Sequence, residues 1–298
     1  MGKTCNPSSR NQLIEQLRDS FLRDKARYER GGRCFENYAL NQIDIVPAFK
    51  WDEELRDKLE KDFNNGDGAE LKGTAKTPPK MHAVHSSSAQ CVNAFAFPAW
   101  QLRRDSVFWT RFFGFEKGFT HEFDEWSFEK QYPVLKSGGD GQKMSGTPPN
   151  LDFSIWNERE IVAIESKLIE PFDDHDQTIQ SSYFYHSILK DNPKLFCLAK
   201  AIHVGVVRFS ILNAAQLIKH SLGLLSTGKQ FRLGYLYNER ADPEGHRQEV
   251  ALFTDLVSDA GVSFFATTYQ DAFERLKGYK CEIDGYTAYM NWFSRHYL

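Results

Sequence analysis

No two cysteines in this chain stand at CxxC spacing. The five present, Cys5, Cys34, Cys91, Cys197 and Cys281, are scattered and odd in number. That excludes a zinc ribbon and a disulfide framework, and it suits a reducing compartment. Long hydrophobic runs are missing too. Nothing approaches the ~20 apolar residues of a membrane span, and the N-terminus lacks an apolar signal core. The expected location is the cytoplasm, with no membrane partner. The chain has no GxSxG, HExxH or P-loop, which sets aside the chemistries those motifs serve. It also lacks an excess of positive charge: the formal charge is −3. A net-acidic chain does not advertise phosphate binding, although a local basic groove remains compatible with it. What is present is the composition of an ordinary globular protein, 41% hydrophobic and 26% charged over 298 residues. Aromatics at 14%, with 24 Phe, predict an aromatic core.

Two short apolar stretches carry charge where a buried strand should not. The first is Pro149-Asn150-Leu151-Asp152-Phe153-Ser154-Ile155-Trp156. The second is Ile161-Val162-Ala163-Ile164-Glu165-Ser166-Lys167-Leu168. Buried charge is costly unless it is paired or binds a metal. The polar segment Asn157-Glu158-Arg159-Glu160 between them predicts a hairpin turn. A turn centred between Glu158 and Arg159 sets Asp152 directly across from Glu165, with Cβ atoms about 5 Å apart. Residues i and i+2 of a strand share a face, so Lys167 joins them and Ser166 points the other way. A slip of one residue undoes the cluster. The plainer alternative is a salt bridge near a sheet edge. Glu-x-Lys by itself is weak evidence, since it recurs at Glu70-Leu71-Lys72, where it is assigned no role.

Asp152 followed by Glu165-Ser166-Lys167 resembles the PD-(D/E)XK signature of restriction-endonuclease-like nucleases, with Pro149 to Asp152 as an expanded "PD". Pro78-Pro79-Lys80-Met81-His82, His85-Ser86-Ser87-Ser88-Ala89 with Asn93-Ala94-Phe95, and Gln216-x-x-x-His220-x-x-Gly223 are similar to a bacterial family of that superfamily. The resemblance spans roughly residues 75 to 240. It implies an α/β fold with an αβββαβ core, a central mixed sheet flanked by helices. It also implies a Mg2+-dependent endonuclease of restriction or defence type, with Mn2+ as a substitute ion, acting on double-stranded DNA and leaving 5′-phosphate ends. Asp152 and Glu165 are then the metal ligands, with the Ser166 carbonyl and Glu129 as further ones. Lys167 positions or activates water, and Gln216 forms a hydrogen bond with Lys167 or a phosphate. A single His such as His220 is more often structural, and hard Mg2+ prefers oxygen. A homodimer would allow cleavage of both strands at a palindrome. The rivals are a nuclease acting on RNA or repair structures, and a non-cleaving nucleic-acid-binding or interaction module on the same fold.

Along the chain, residues 1–75 are expected to form an N-terminal helical extension and 76–298 the nuclease-like domain. Leu13, Leu17 and Phe21 at spacing four predict a helix over 8–30, rich in interleaved Arg and acid, and a second helix is expected over 51–63. A helical region over 86–115 is expected to break at Pro98. It carries Arg103 and Arg104, which with Lys143 are the candidate nucleic-acid contacts. Strands are expected at 128–134, 231–237 and 262–267. Helices are expected within 172–203, over 212–225 with Asn213 as cap, over 248–260, and from Tyr269 onward.

Overall fold

A computed structural model describes residues 7–22, 24–65, 70–119, 121–134, 150–173 and 175–298. Helix α1 (Pro7–Leu22) buries Leu13, Leu17 and Phe21 as their spacing requires. It stops eight residues short of the expected end. Strands β1 (Arg27–Arg30) and β2 (Arg33–Ala39) form an antiparallel hairpin instead, closing at Arg30 opposite Arg33. Gly31 and Gly32 make the two-residue turn with φ of 57° and 73°, the doubly left-handed geometry that favours a Gly-Gly hairpin over a helix. The N-terminal extension is therefore helical only in part.

Helices α2 (Ala48–Trp51) and α3 (Glu53–Asn65) follow, then α4 (Ser87–Gln101) and α5 (Ser106–Phe113). Pro98 lies inside α4 without breaking it, contrary to expectation. A proline removes the hydrogen bond to the carbonyl four residues back, here that of Ala94, and the Tyr289 hydroxyl donates to that carbonyl at 2.7 Å. The helical region breaks instead after Leu102, where Asp105 caps α5.

The sheet is built from β3 (Glu125–Gln131), β4 (Asn150–Trp156), β5 (Glu160–Lys167), then, after α6 (Ser181–Phe184), α7 (Ser187–Lys190), α8 (Pro193–His203) and α9 (Ala214–Leu225), from β6 (Gln230–Tyr237) and, after α10 (His246–Asp259), from β7 (Phe264–Thr268). Strand β3 begins three residues earlier than expected and ends before Pro133, which cannot donate to a ladder. The chain closes with α11 (Tyr269–Arg275) and α12 (Tyr286–Tyr297), two helices where one was expected. The strands lie side by side in chain order. The first two junctions are antiparallel and the last two parallel.

This mixed sheet is covered on both faces. Phe153, Ile155, Val162, Ile164 and Leu236 enter one core with α1, α3, α4, α5, α11 and α12. Ile161, Ala163, Leu233 and Tyr235 enter the other with α8, α9 and α10. The N-terminal extension thus shares a core with the sheet. Among the described residues, no helix is long and apolar enough to cross a membrane.

Candidate active site

The hairpin of β4 and β5 has the register that the turn implies: Phe153 pairs with Ile164, Ser154 with Ala163, Ile155 with Val162 and Trp156 with Ile161. Asn157 holds the turn. Its Oδ1 accepts from the backbone N–H of Arg159 and Glu160, both at 2.9 Å, and its Nδ2 donates to the Glu122 carbonyl at 3.0 Å. One step beyond Phe153 and Ile164, Asp152 faces Glu165. The Ser166 N–H donates to Asp152 Oδ2 at 2.6 Å. Ser166 itself points to the other face, where its Oγ lies 2.7 Å from the Tyr269 hydroxyl.

On β5, Glu165 and Lys167 follow Ile161 and Ala163 onto the face covered by α9. Lys167 Nζ donates to Glu165 Oε1 at 2.5 Å, with both side chains almost fully buried. His220 of α9 brings Nε2 to 2.9 Å from Glu165 Oε2, off the axis of an aligned hydrogen bond. Gln216, His220 and Gly223 lie along one face of α9. Gly223 explains the close approach: a Cβ there would sit 2.2 Å from the Tyr132 carbonyl oxygen just past β3. Asn213 caps the helix as expected, accepting from the Gln216 N–H at 3.1 Å. The half-buried Gln216 side chain makes no hydrogen bond among the described residues.

Glu129 completes the acidic group from β3. The ladder pairs Phe128 with Phe153 and Lys130 with Leu151, skipping Glu129 opposite Asp152. Glu129 has φ of 50°, the only positive value for a non-glycine among the described residues. Its Oε2 accepts from Asn150 Nδ2 at 2.9 Å. Burial, then the nearby charges of Glu70 and Glu165, push its carboxyl up to about 7 despite the Asn150 hydrogen bond. Burial, Glu165 and Glu129 likewise push Asp152 well above the usual carboxylate range. Glu165 goes the other way. Burial opposes its charge, but Lys167 and His220 outweigh it and hold the pKa down to about 2. Burial would also depress Lys167. Glu165, Glu170 and Asp152 override it, so the group stays an ammonium at neutral pH.

Glu70 is a member of the acidic group that sequence spacing does not single out. It is 6% exposed, receives Lys80 Nζ at 3.0 Å, and lies close enough to Glu129 to raise its pKa. Its distance along the chain from Asp152 hides this. The usable signal was an acid ten residues before the Lys of Pro78-Pro79-Lys80. Arg103 and Arg104 are not brought to the cluster. Arg104 lies 3.9 Å from Glu122, whose carbonyl is held at the hairpin turn. That is the far end of β4 from Asp152, about 17 Å along the strand. Lys143 and Pro149 lie outside the described residues.

The fold and the site define a mixed α/β protein with a buried acid and lysine cluster where β4, β5 and α9 meet. Residues 15–298 match the family described as restriction endonuclease associating with ARP, and the chain belongs to that family. No curated protein and no solved structure matches it.

Proposed function

We propose that this protein is a Mg2+-dependent endonuclease that hydrolyses phosphodiester bonds of double-stranded DNA in a restriction or defence role. Its site is of the PD-(D/E)XK type, on an αβββαβ core. The supporting observation is the register that gathers Asp152, Glu165 and Lys167 on one face. The donor set suits a hard divalent ion, because every acidic side chain in it offers oxygen. Glu165 Oε2 is buried without an aligned hydrogen bond. Asp152 and Glu129 each hold a proton more tightly because of neighbouring acids, a repulsion that a cation would relieve. Among the described residues, no three His, Cys, Asp or Glu side chains stand at metal-binding spacing. Asp152 and Glu165 with the Ser166 carbonyl would hold an ion that keeps several of its waters, and Glu129 would join them only after its side chain moves.

When bound, Mg2+ polarises the phosphoryl oxygen and lowers the pKa of water. The protein's own groups do the rest. As an ammonium, Lys167 is a donor and not a base: it positions the attacking water and stabilises charge developing on the phosphoryl oxygens. The amide of Ser166 fixes Asp152, and His220 braces Glu165 from behind. Half-buried Gln216, one turn from His220, is available to a phosphate. Departure of the 3′ oxygen leaves 5′-phosphate and 3′-hydroxyl ends. The association with ARP that the family's description names belongs to the same proposal, as do cytoplasmic location and a homodimer for two-strand cleavage.

One observation favours the second reading, a non-cleaving module: Lys167 and His220 already flank both oxygens of Glu165. The two readings separate on plasmid, linear duplex and RNA incubated with Mg2+ or EDTA, beside Lys167→Ala and Asp152→Ala. Cleavage should require Mg2+, favour DNA, and fall by ~100-fold or more in either variant. Equal behaviour of wild type and variants on every substrate would rule the active site out.

A further inference from the structure

On the α4 side of the sheet, away from Glu165, the protein has a cavity of about 520 Å³ between α2, α3, α4 and α12. Trp51, Phe97, Trp100 and Trp292 line it, with Asp52 and Asp284 beside them. No lysine, arginine or histidine contributes to the wall. Trp51 is 41% exposed, a large area of indole to leave in water, and meets Phe97 edge to face at 5.9 Å. Asp52 Oδ1 accepts from the Leu55 N–H at 2.9 Å and so caps α3. Neither Asp52 nor Asp284 forms an ion pair among the described residues, whereas the neighbouring Glu53 of α3 is paired with Arg56.

We propose that this cavity is a docking site for an arginine side chain of a partner polypeptide. Aromatic ring faces and carboxylates outside any ion pair both attract a cation, and together they repel phosphate. A nucleic acid is thus the wrong occupant here, whatever the carboxylate cluster across the sheet binds. Among cations, a planar guanidinium stacks on indole and still offers its edge to a carboxylate, which an ammonium cannot do as well. The cavity is far larger than a guanidinium. The remaining apolar wall, including Leu55, suits the residues that flank an arginine in a chain. The site owes nothing to the nuclease reading, because none of its walls belongs to the catalytic group.

The test is calorimetric titration of the full chain with N-acetyl-arginine amide, N-acetyl-citrulline amide and tetramethylammonium. Citrulline keeps the shape and removes the charge. The arginine derivative should saturate one site and bind roughly tenfold tighter than citrulline. The double variant Asp52→Asn, Asp284→Asn should lose a similar factor with unchanged thermal melting, because Asn also caps a helix. Cleavage, where present, should be unaffected. Absence of saturable arginine binding, equal binding of citrulline, or an unaffected double variant would each overturn the proposal. Tighter binding of tetramethylammonium than of arginine would overturn the occupant, pointing to a small quaternary amine.

Discussion

Glu129 is held in two unfavourable ways at once. Its left-handed backbone costs a non-glycine residue about 1–2 kcal/mol, and its carboxyl sits among other acids with a pKa near 7. Such strain persists only where surrounding structure over-determines it, and it clusters at functional sites. The titration has a definite sign. The folded protein holds this proton more tightly than the unfolded chain, whose ordinary value is 4.5. Glu129 by itself should therefore cost the metal-free protein stability as pH rises from about 4.5 to about 7, a fall opposed by His85, whose pKa burial lowers to about 4. Glu129→Gln should flatten that part of the denaturation midpoint against pH. Asp152 contributes in the same direction, so a residual slope is expected. Identical slopes for wild type and variant would show that Glu129 is not the responsible group. At this scale the sequence displayed Asp152, Glu165 and Lys167, because strand periodicity is local. It concealed Glu70, whose proximity to Glu129 depends on a fold between distant segments.

Two elements set the geometry of the cluster, the hairpin turn and α9. Asn157 is buried, and its side chain makes three hydrogen bonds that fix the turn. Asn157→Ala should cost about 1–3 kcal/mol, read as a lower urea midpoint at unchanged slope, since it removes three part-buried hydrogen bonds at the turn. Gly223→Ala acts through packing. Its Cβ cannot occupy a point 2.2 Å from a backbone oxygen, so α9 must move off the end of β3 and carry His220 from Glu165. Expected are a loss of about 1–3 kcal/mol and a larger fall in cleavage than the stability change explains. Full activity in Gly223→Ala would mean that the approach of α9 is irrelevant to the site. The hairpin and α9 were both legible, one from its polar gap and the other from an apolar stripe with an Asn cap. The β1–β2 hairpin was not. Alternating Arg and acid over 24–36 reads equally well as helical ion pairs, and only the twin positive φ angles at Gly31 and Gly32 decide the matter.

For the whole molecule, the sheet is the centre of a single packing arrangement that includes the N-terminal residues. Leu13, Leu17 and Phe21 are at most 3% exposed. Phe21 lies 5.3 Å from the ring of Tyr297 at the other end of the chain. Each of the three contributes about 1.5–3 kcal/mol through burial. A chain beginning at residue 26 should consequently melt far lower or fail to fold, as near-ultraviolet circular dichroism would show. An unchanged melting temperature would mean that α1 is a detachable arm. Docked in this way, α1 presents its arginines on a packed helix, and Arg10 and Arg18 lie within 4 Å of Asp173 and Glu36. A mild net negative charge is thus compatible with nucleic-acid binding only through local surfaces.

By itself the sequence determined the alternation that puts two carboxylates and a lysine on one strand face, and the turn that sets their register. Both are properties of a few adjacent residues and need no distant partner. Only the tertiary structure decided what that face meets. It brought His220 to Glu165 and Glu70 beside Glu129, and it left Arg103 and Arg104 at the opposite end of the sheet. Those outcomes depend on which surfaces pack together, and a chain read one neighbour at a time does not record them. The cluster's local geometry is therefore written in residues 150–167, while its electrostatic setting comes from the fold.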